Sequence, residues 1–292
     1  MSEHRPPSDG RIILPEGPTD LSLGSLLTAT AVSFRERSGG LAGRAFLEGL
    51  GTAGWALFMT LGLSCFAPGF LVGGRGLIAI AAAMTASVLW AVAVSAVASR
   101  AAADLVRDAI RTVRHLPLEG AFNRPKWAGR VAACAAPLVI VAATAISLPL
   151  FAAGPLRVPI EAAIVFAGLA LLIVPAALFV TFWPAAFLIC DRDELTGLRP
   201  LIAAWRACED VRGATTAAGL FAYALLAWPI GLFLGGTLLS PQSPVPFFTL
   251  GATVVGWPFT APPAFLLLAH AFDRMVRLEA AAEADAGYRP GG

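Results

Sequence analysis

A histidine and an aspartate, three residues apart at the end of a long apolar stretch, are the first candidates for chemistry in this chain. His270 and Asp273 fall on one face of a helix at that spacing. Together they could relay protons; the plainer reading is an interfacial histidine beside water. Asp191, Asp193 and Glu194 make a second cluster. Three carboxylates could take a divalent cation, but a solvated, helix-terminating loop is the commoner use of that pattern. The four cysteines, Cys65, Cys134, Cys190 and Cys208, lack zinc spacing and read as small hydrophobes. No Gly-rich phosphate loop with Lys, no His-Glu-x-x-His helix and no Gly-x-Ser-x-Gly elbow occurs. The expectation is a chain with no catalytic residues, no cofactor and no bound metal.

The elements that carry these residues are set by composition. Of 292 residues, 57% are hydrophobic and 14% charged, against about 45–50% and 25% in ordinary soluble domains. Six runs hold no Asp, Glu, Lys or Arg: Leu50–Val72, Gly76–Ser99, Val131–Ala153, Ala162–Cys190, Ala214–Leu239 and Phe247–Phe272. Each exceeds the roughly 20 residues needed to cross a hydrocarbon core. The charges lie in the segments between them. The fold expected is all-α, a polytopic transmembrane bundle of six spans in three hairpins. No cleaved signal pattern opens the chain.

Charge placement orients the spans. Counting Lys and Arg on alternate sides gives nineteen against two. The richer side is cytoplasmic by the positive-inside rule. Both termini then lie in the cytoplasm of a multi-pass cell inner membrane protein. Three units follow: residues 1–45, a cytoplasmic tail with a short amphipathic helix; residues 46–273, the membrane domain; and residues 274–292, a cytoplasmic tail.

Within the first unit, Asp20 is placed to cap a helix carrying Leu23, Leu26, Leu27, Ala31 and Phe34 at helical spacing, with Gly39-Gly40 as its end. The second span should continue beyond the membrane. There Arg100, Asp104, Arg107, Asp108, Arg111 and Arg114 form a charged face, read as a solvated helix end beside headgroups or as a docking site. Nucleic acid is an unsuitable partner, because acids interleave with the basic residues and no aromatic platform accompanies them. The partners expected are the lipid bilayer, a second copy of the chain or a cytoplasmic protein.

Two further patterns single out residues. Trp183-Pro184, Trp228-Pro229 and Trp257-Pro258 repeat a Trp-Pro pair in three spans, where proline can kink a helix and open a cavity. Between spans four and five, Leu198, Leu201, Ile202, Trp205 and Cys208 fall on one side of a short helix, with Arg199 and Arg206 opposite. This segment is too short and too charged to span. It is expected to lie along the inner membrane surface, with Arg199, Leu201, Trp205 and Arg206 as contacts to lipid or a partner.

Residues Phe187-Leu188-Ile189-Cys190-Asp191, the amphipathic helix Gly197–Arg206, Gly213 and the Pro-rich last span form a sequence pattern. Over residues 162–272 it resembles the six-helix bacterial membrane proteins related to the membrane domain fused to glycerophosphoryl diester phosphodiesterases. The hydrolase domain of the fused proteins is absent, so the resemblance implies a membrane domain and no phosphodiesterase activity. The function expected is a non-enzymatic scaffold or envelope-maintenance component; a transporter or permease subunit with Pro-kinked spans is the alternative.

Overall fold

The structure is a computed structural model and describes residues 19–72, 77–118, 128–152, 159–192, 195–209, 211–239 and 245–287. Among these residues it is all-helical. The helices are α1 (Leu23–Val72), α2 (Leu77–Val113), α3 (Ala128–Ala152), α4 (Ile160–Phe182), α5 (Pro184–Asp191), α6 (Arg199–Ala207), α7 (Arg212–Leu239) and α8 (Val245–Gly287). Among the described residues four stretches are long and apolar enough to cross a membrane: Met84–Val113, Ala128–Pro149, Glu161–Asp191 and Gly251–Ala282.

The six long helices pack in order around a ring. Each of α1, α2, α3, α4, α7 and α8 touches the next, and α8 closes the ring on α1 while also reaching α2. α8 is the central element: half of its most apolar window is buried, against about a tenth in the corresponding windows of the other three stretches. On α4, Val165, Phe166, Leu172 and Ile173 are exposed, Leu172 by 68%. Apolar surface of that extent on a single helix matches hydrocarbon better than water.

Two close approaches hold the ring. The ring of Trp257 on α8 lies against Gly49 on α1, where an added Cβ would come within 2.8 Å of Cδ1. Trp183 and the Val180 backbone lie against Gly219 on α7, where a Cβ would meet them at 3.1 and 3.3 Å. Glycine at these two positions lets indole and backbone approach. Gly231 on α7, by contrast, faces open space.

Two expectations about α1 need correction. Gly39-Gly40 does not end the helix: α1 changes direction at Arg37 (φ −127°, ψ 17°) and then runs on to Val72. Asp20 is not the cap residue. Ser22 is, since its carbonyl accepts the first helical bond from Leu26 at 3.0 Å. Asp20 acts one step earlier, accepting from Ser22 N–H at 2.9 Å and from its hydroxyl at 2.7 Å. Those bonds, the backbone one foremost, hold the Asp20 carboxyl below its ordinary range.

Candidate functional site: a paired charge cluster at one end of the bundle

The extension of α2 is not a solvated helix end. Residues 103–110 are buried without interruption, Asp108 completely, together with Asp104 and Arg107. α1, α3, α5 and α8 all pack against α2. The sequence holds part of the signal: Leu105, Val106, Ala109 and Ile110 form one apolar face, about 140° wide at 100° per residue. A charge taken from water is costly unless it is paired, and pairs are found. Arg44 of α1 meets Asp108 at 2.5 Å, while Arg107 lies 3.3 Å from Asp104 and 3.5 Å from Asp108.

One turn later Arg114 joins two distant carboxylates. Its Nη1 donates to Asp191 at the end of α5 at 2.8 Å, and its Nε to Asp273 of α8 at 3.4 Å. Asp273 also accepts from Arg277 at 2.9 Å. Asp191 and Asp273 close similar short sequences, Phe187-Leu188-Ile189-Cys190 and Phe265-Leu266-Leu267-Leu268 with their following residues. The fold brings both to a single guanidinium, whose fork of donors suits two acceptors.

The start of α1 is tied to the same end. Arg37 donates to the Leu116 carbonyl at 2.6 Å, and Arg274 of α8 donates to the Asp20 carbonyl and to Ser25 Oγ. α2 itself stops in a Schellman arrangement: Leu116 N–H reaches the Arg111 carbonyl at 2.7 Å and His115 N–H the Thr112 carbonyl at 3.1 Å. His115 takes the left-handed position at φ 56°, and Pro117 prevents continuation.

The proton-relay pair does not form. His270 shares a 2.9 Å hydrogen bond with Ser33 Oγ, while Asp273 is engaged by Arg114 and Arg277. In the acidic cluster Asp191 is taken by Arg114, and Asp193 and Glu194 lie outside the described residues. Among the described residues no group of three His, Cys, Asp or Glu is placed to hold a metal ion.

The Trp-Pro pairs separate. Trp183-Pro184 breaks the helix, dividing α4 from α5. Trp183 is buried edge-on to Phe187, with ring centroids 5.6 Å apart. α7 continues through Trp228-Pro229 and α8 through Trp257-Pro258. Trp228 is 63% exposed, so the three indoles do not line one cavity. Between these helices Thr253 Oγ donates to the Pro229 carbonyl at 2.6 Å.

α6 also differs from expectation. Its apolar residues divide between two faces. Pro200, Leu201, Ala204 and Cys208 are buried against the bundle, whereas Leu198, Ile202 and Trp205 are exposed with Arg199 and Arg206. Burial pushes the Cys208 thiol above its ordinary range. The element packs on α4 and α5. Comparison with protein-family models, with curated proteins and with solved structures finds no match to this chain.

Proposed function

We propose that the chain is a non-enzymatic membrane scaffold of six spans, with both termini and the charged cluster on the cytoplasmic side. The observation that carries this reading is the Arg114 clasp on Asp191 and Asp273. The buried charges are used to hold helix ends together. The recess beside Arg44, Glu48, Asp104 and Asp108 measures about 20 Å³, room for about one water. That is too small for a solute.

Parity supports the span count. The end of α5 and the Asp273 turn of α8 meet at Arg114, which supports placing both on one side. On this reading a chain leaving by α4–α5 and arriving at the same side through α8 crosses back between them in α7. The 28 residues of α7 extend about 42 Å. By the same logic the start of α1 and the end of α2 meet through Arg44–Asp108 and Arg37–Leu116, so α1 must cross in the opposite sense to α2. The likeness over residues 162–272 to membrane domains accords with this reading and adds no activity.

One observation favours transport as a second reading: the break at Trp183-Pro184 within an apolar stretch, a feature of discontinuous transporter helices. Against it, Trp183 is buried and keeps helical dihedrals (φ −54°, ψ −33°), so the backbone is not unwound at the break. The test is reconstitution into liposomes with solute counterflow, alongside affinity purification from the membrane under mild detergent. The scaffold reading expects no counterflow and a stoichiometric protein companion; solute movement carried by the purified chain would replace it with the transporter.

A further inference from the structure

We infer that α6 is a binding site for anionic phospholipid headgroups, built from an exposed apolar stripe and a row of arginines. The inference rests on the reading that the bundle spans a membrane with this end at the inner leaflet.

Leu198, Ile202 and Trp205 are spaced four and three residues apart and form one line along the helix, each about half exposed or more. Arg199 and Arg206, seven residues apart, form a second line beside it. The opposite face, Leu201, Ala204 and Cys208, is spent on the bundle. α6 is therefore fixed from behind and presents an apolar edge next to a cationic one.

Its depth is set by its neighbours. Phe182 closes α4, and its ring lies 6.4 Å from that of Trp205. Arg212 opens α7, with its guanidinium 4.9 Å from the Trp205 ring centroid. Trp205 thus sits beside the start of α7, where an apolar helix gives way to charge, the level favoured by an indole with one apolar and one wet edge.

Charge selects the lipid. Arg199, Arg206 and Arg212 face outward, and of the described acids in the segment Glu209 pairs only loosely with Arg212, at 3.9 Å. Among the described residues no ion pair engages Arg199 or Arg206. Guanidinium groups suit phosphate oxygens, and basic residues at an anionic leaflet act additively. A zwitterionic headgroup supplies no net charge for them to meet.

The experiment uses the full chain in nanodiscs containing brominated phosphatidylglycerol or brominated phosphatidylcholine. The Trp205 signal is the emission of the wild type minus that of Trp205→Phe. Stronger quenching by the phosphatidylglycerol lipid is expected. Arg199→Glu with Arg206→Glu should lower anionic-lipid affinity by more than about fivefold per arginine, since reversal adds repulsion to the lost attraction, while leaving the melting transition in place. Arg199→Gln with Arg206→Gln should fall between the two. Equal quenching by both lipids, unchanged by the substitutions, would overturn the inference. So would absence of quenching by either lipid, the result expected if a protein or a second copy covers the stripe. Retention of the chain in native membranes after alkaline carbonate reports on spanning alone, so loss of lipid selectivity and loss of the spanning reading are separately visible.

Discussion

At the scale of single residues, the clasp at Arg114 makes the firmest demand. Replacing it by leucine leaves Asp191 without its partner and Asp273 with Arg277 alone, in a site where both carboxylates are mostly withdrawn from water. Breaking a buried pair typically costs about 3–5 kcal/mol. Arg114→Leu is expected to lose stability on that scale in denaturation from mixed micelles. Arg114→Leu with Asp191→Asn should lose less than the sum of the two single changes, and strict additivity would count against the clasp. Arg114→Lys should recover only part, since one ammonium cannot copy the fork. A second site works in the other direction. His115 holds φ 56° at an exposed position, where a side chain costs roughly 1 kcal/mol. His115→Gly is expected to raise stability by about that much; an unchanged or lowered midpoint would show that the imidazole makes a compensating contact. Neither residue stood out in the sequence. Arg114 was one basic residue among several in a connection, and its partners lie 77 and 159 positions away. Hydropathy patterning reports what a residue's neighbours in sequence are, and so leaves such tertiary pairs unseen.

At the scale of elements, periodicity found α6 but assigned too many residues to one side. Leu201 and Ile202 are adjacent in sequence, and apolar spacing alone puts both on one side. A helix advances about 100° per residue, and packing against α4 and α5 turns Leu201 inward and Ile202 outward. The two positions therefore separate by experiment. Leu201→Asp gives up the burial of a leucine and forces a carboxylate into the interface with the bundle, a loss of roughly 3 kcal/mol or more. Ile202→Asp places the same carboxylate in water or among headgroups, with a change within about 0.5 kcal/mol. Comparing their thermal midpoints in detergent checks the division; equal effects would mean that α6 is held differently. The α2 extension shows the same limit from the other side. Its charges suggested exposure, and the sequence could not show that Arg44 of α1 would supply the countercharge within the bundle. The apolar runs themselves are legible, because a membrane span depends on local composition alone: every charge-free run lies within helix wherever the structure describes it, save Trp183 between α4 and α5. Where helices turn or break was less so, as Arg37 and the continuation of α7 and α8 through their prolines show.

At the scale of the whole molecule, orientation is the prediction that joins the sequence to the structure. Nineteen basic residues fall on one set of alternate segments and two on the other. The fold draws four of those rich segments together, through Arg44–Asp108, Arg37–Leu116, Arg114–Asp191, Arg114–Asp273 and Arg274–Asp20. Charge counting and ion pairing are independent observations, since the first ignores contacts and the second ignores sidedness. They agree on which segments share a side. Translocating one of these segments would also require moving several arginines across the hydrocarbon, each strongly disfavoured at the centre of a bilayer. In a background without the four native cysteines, Leu116→Cys and Ala207→Cys occupy exposed positions on the basic side, and Ser243→Cys lies in the short connection between α7 and α8. An impermeant maleimide added to intact cells should label Ser243→Cys and reach the other two only after the membrane is opened. Labelling of Leu116→Cys from outside would invert the orientation. A shielded Ser243→Cys with Ala207→Cys also shielded, and both reached on lysis, would remove the crossing assigned to α7. In that case α8 could deliver Asp273 to Arg114 only by entering and leaving on the same side, which a continuous helix of 43 residues does not allow.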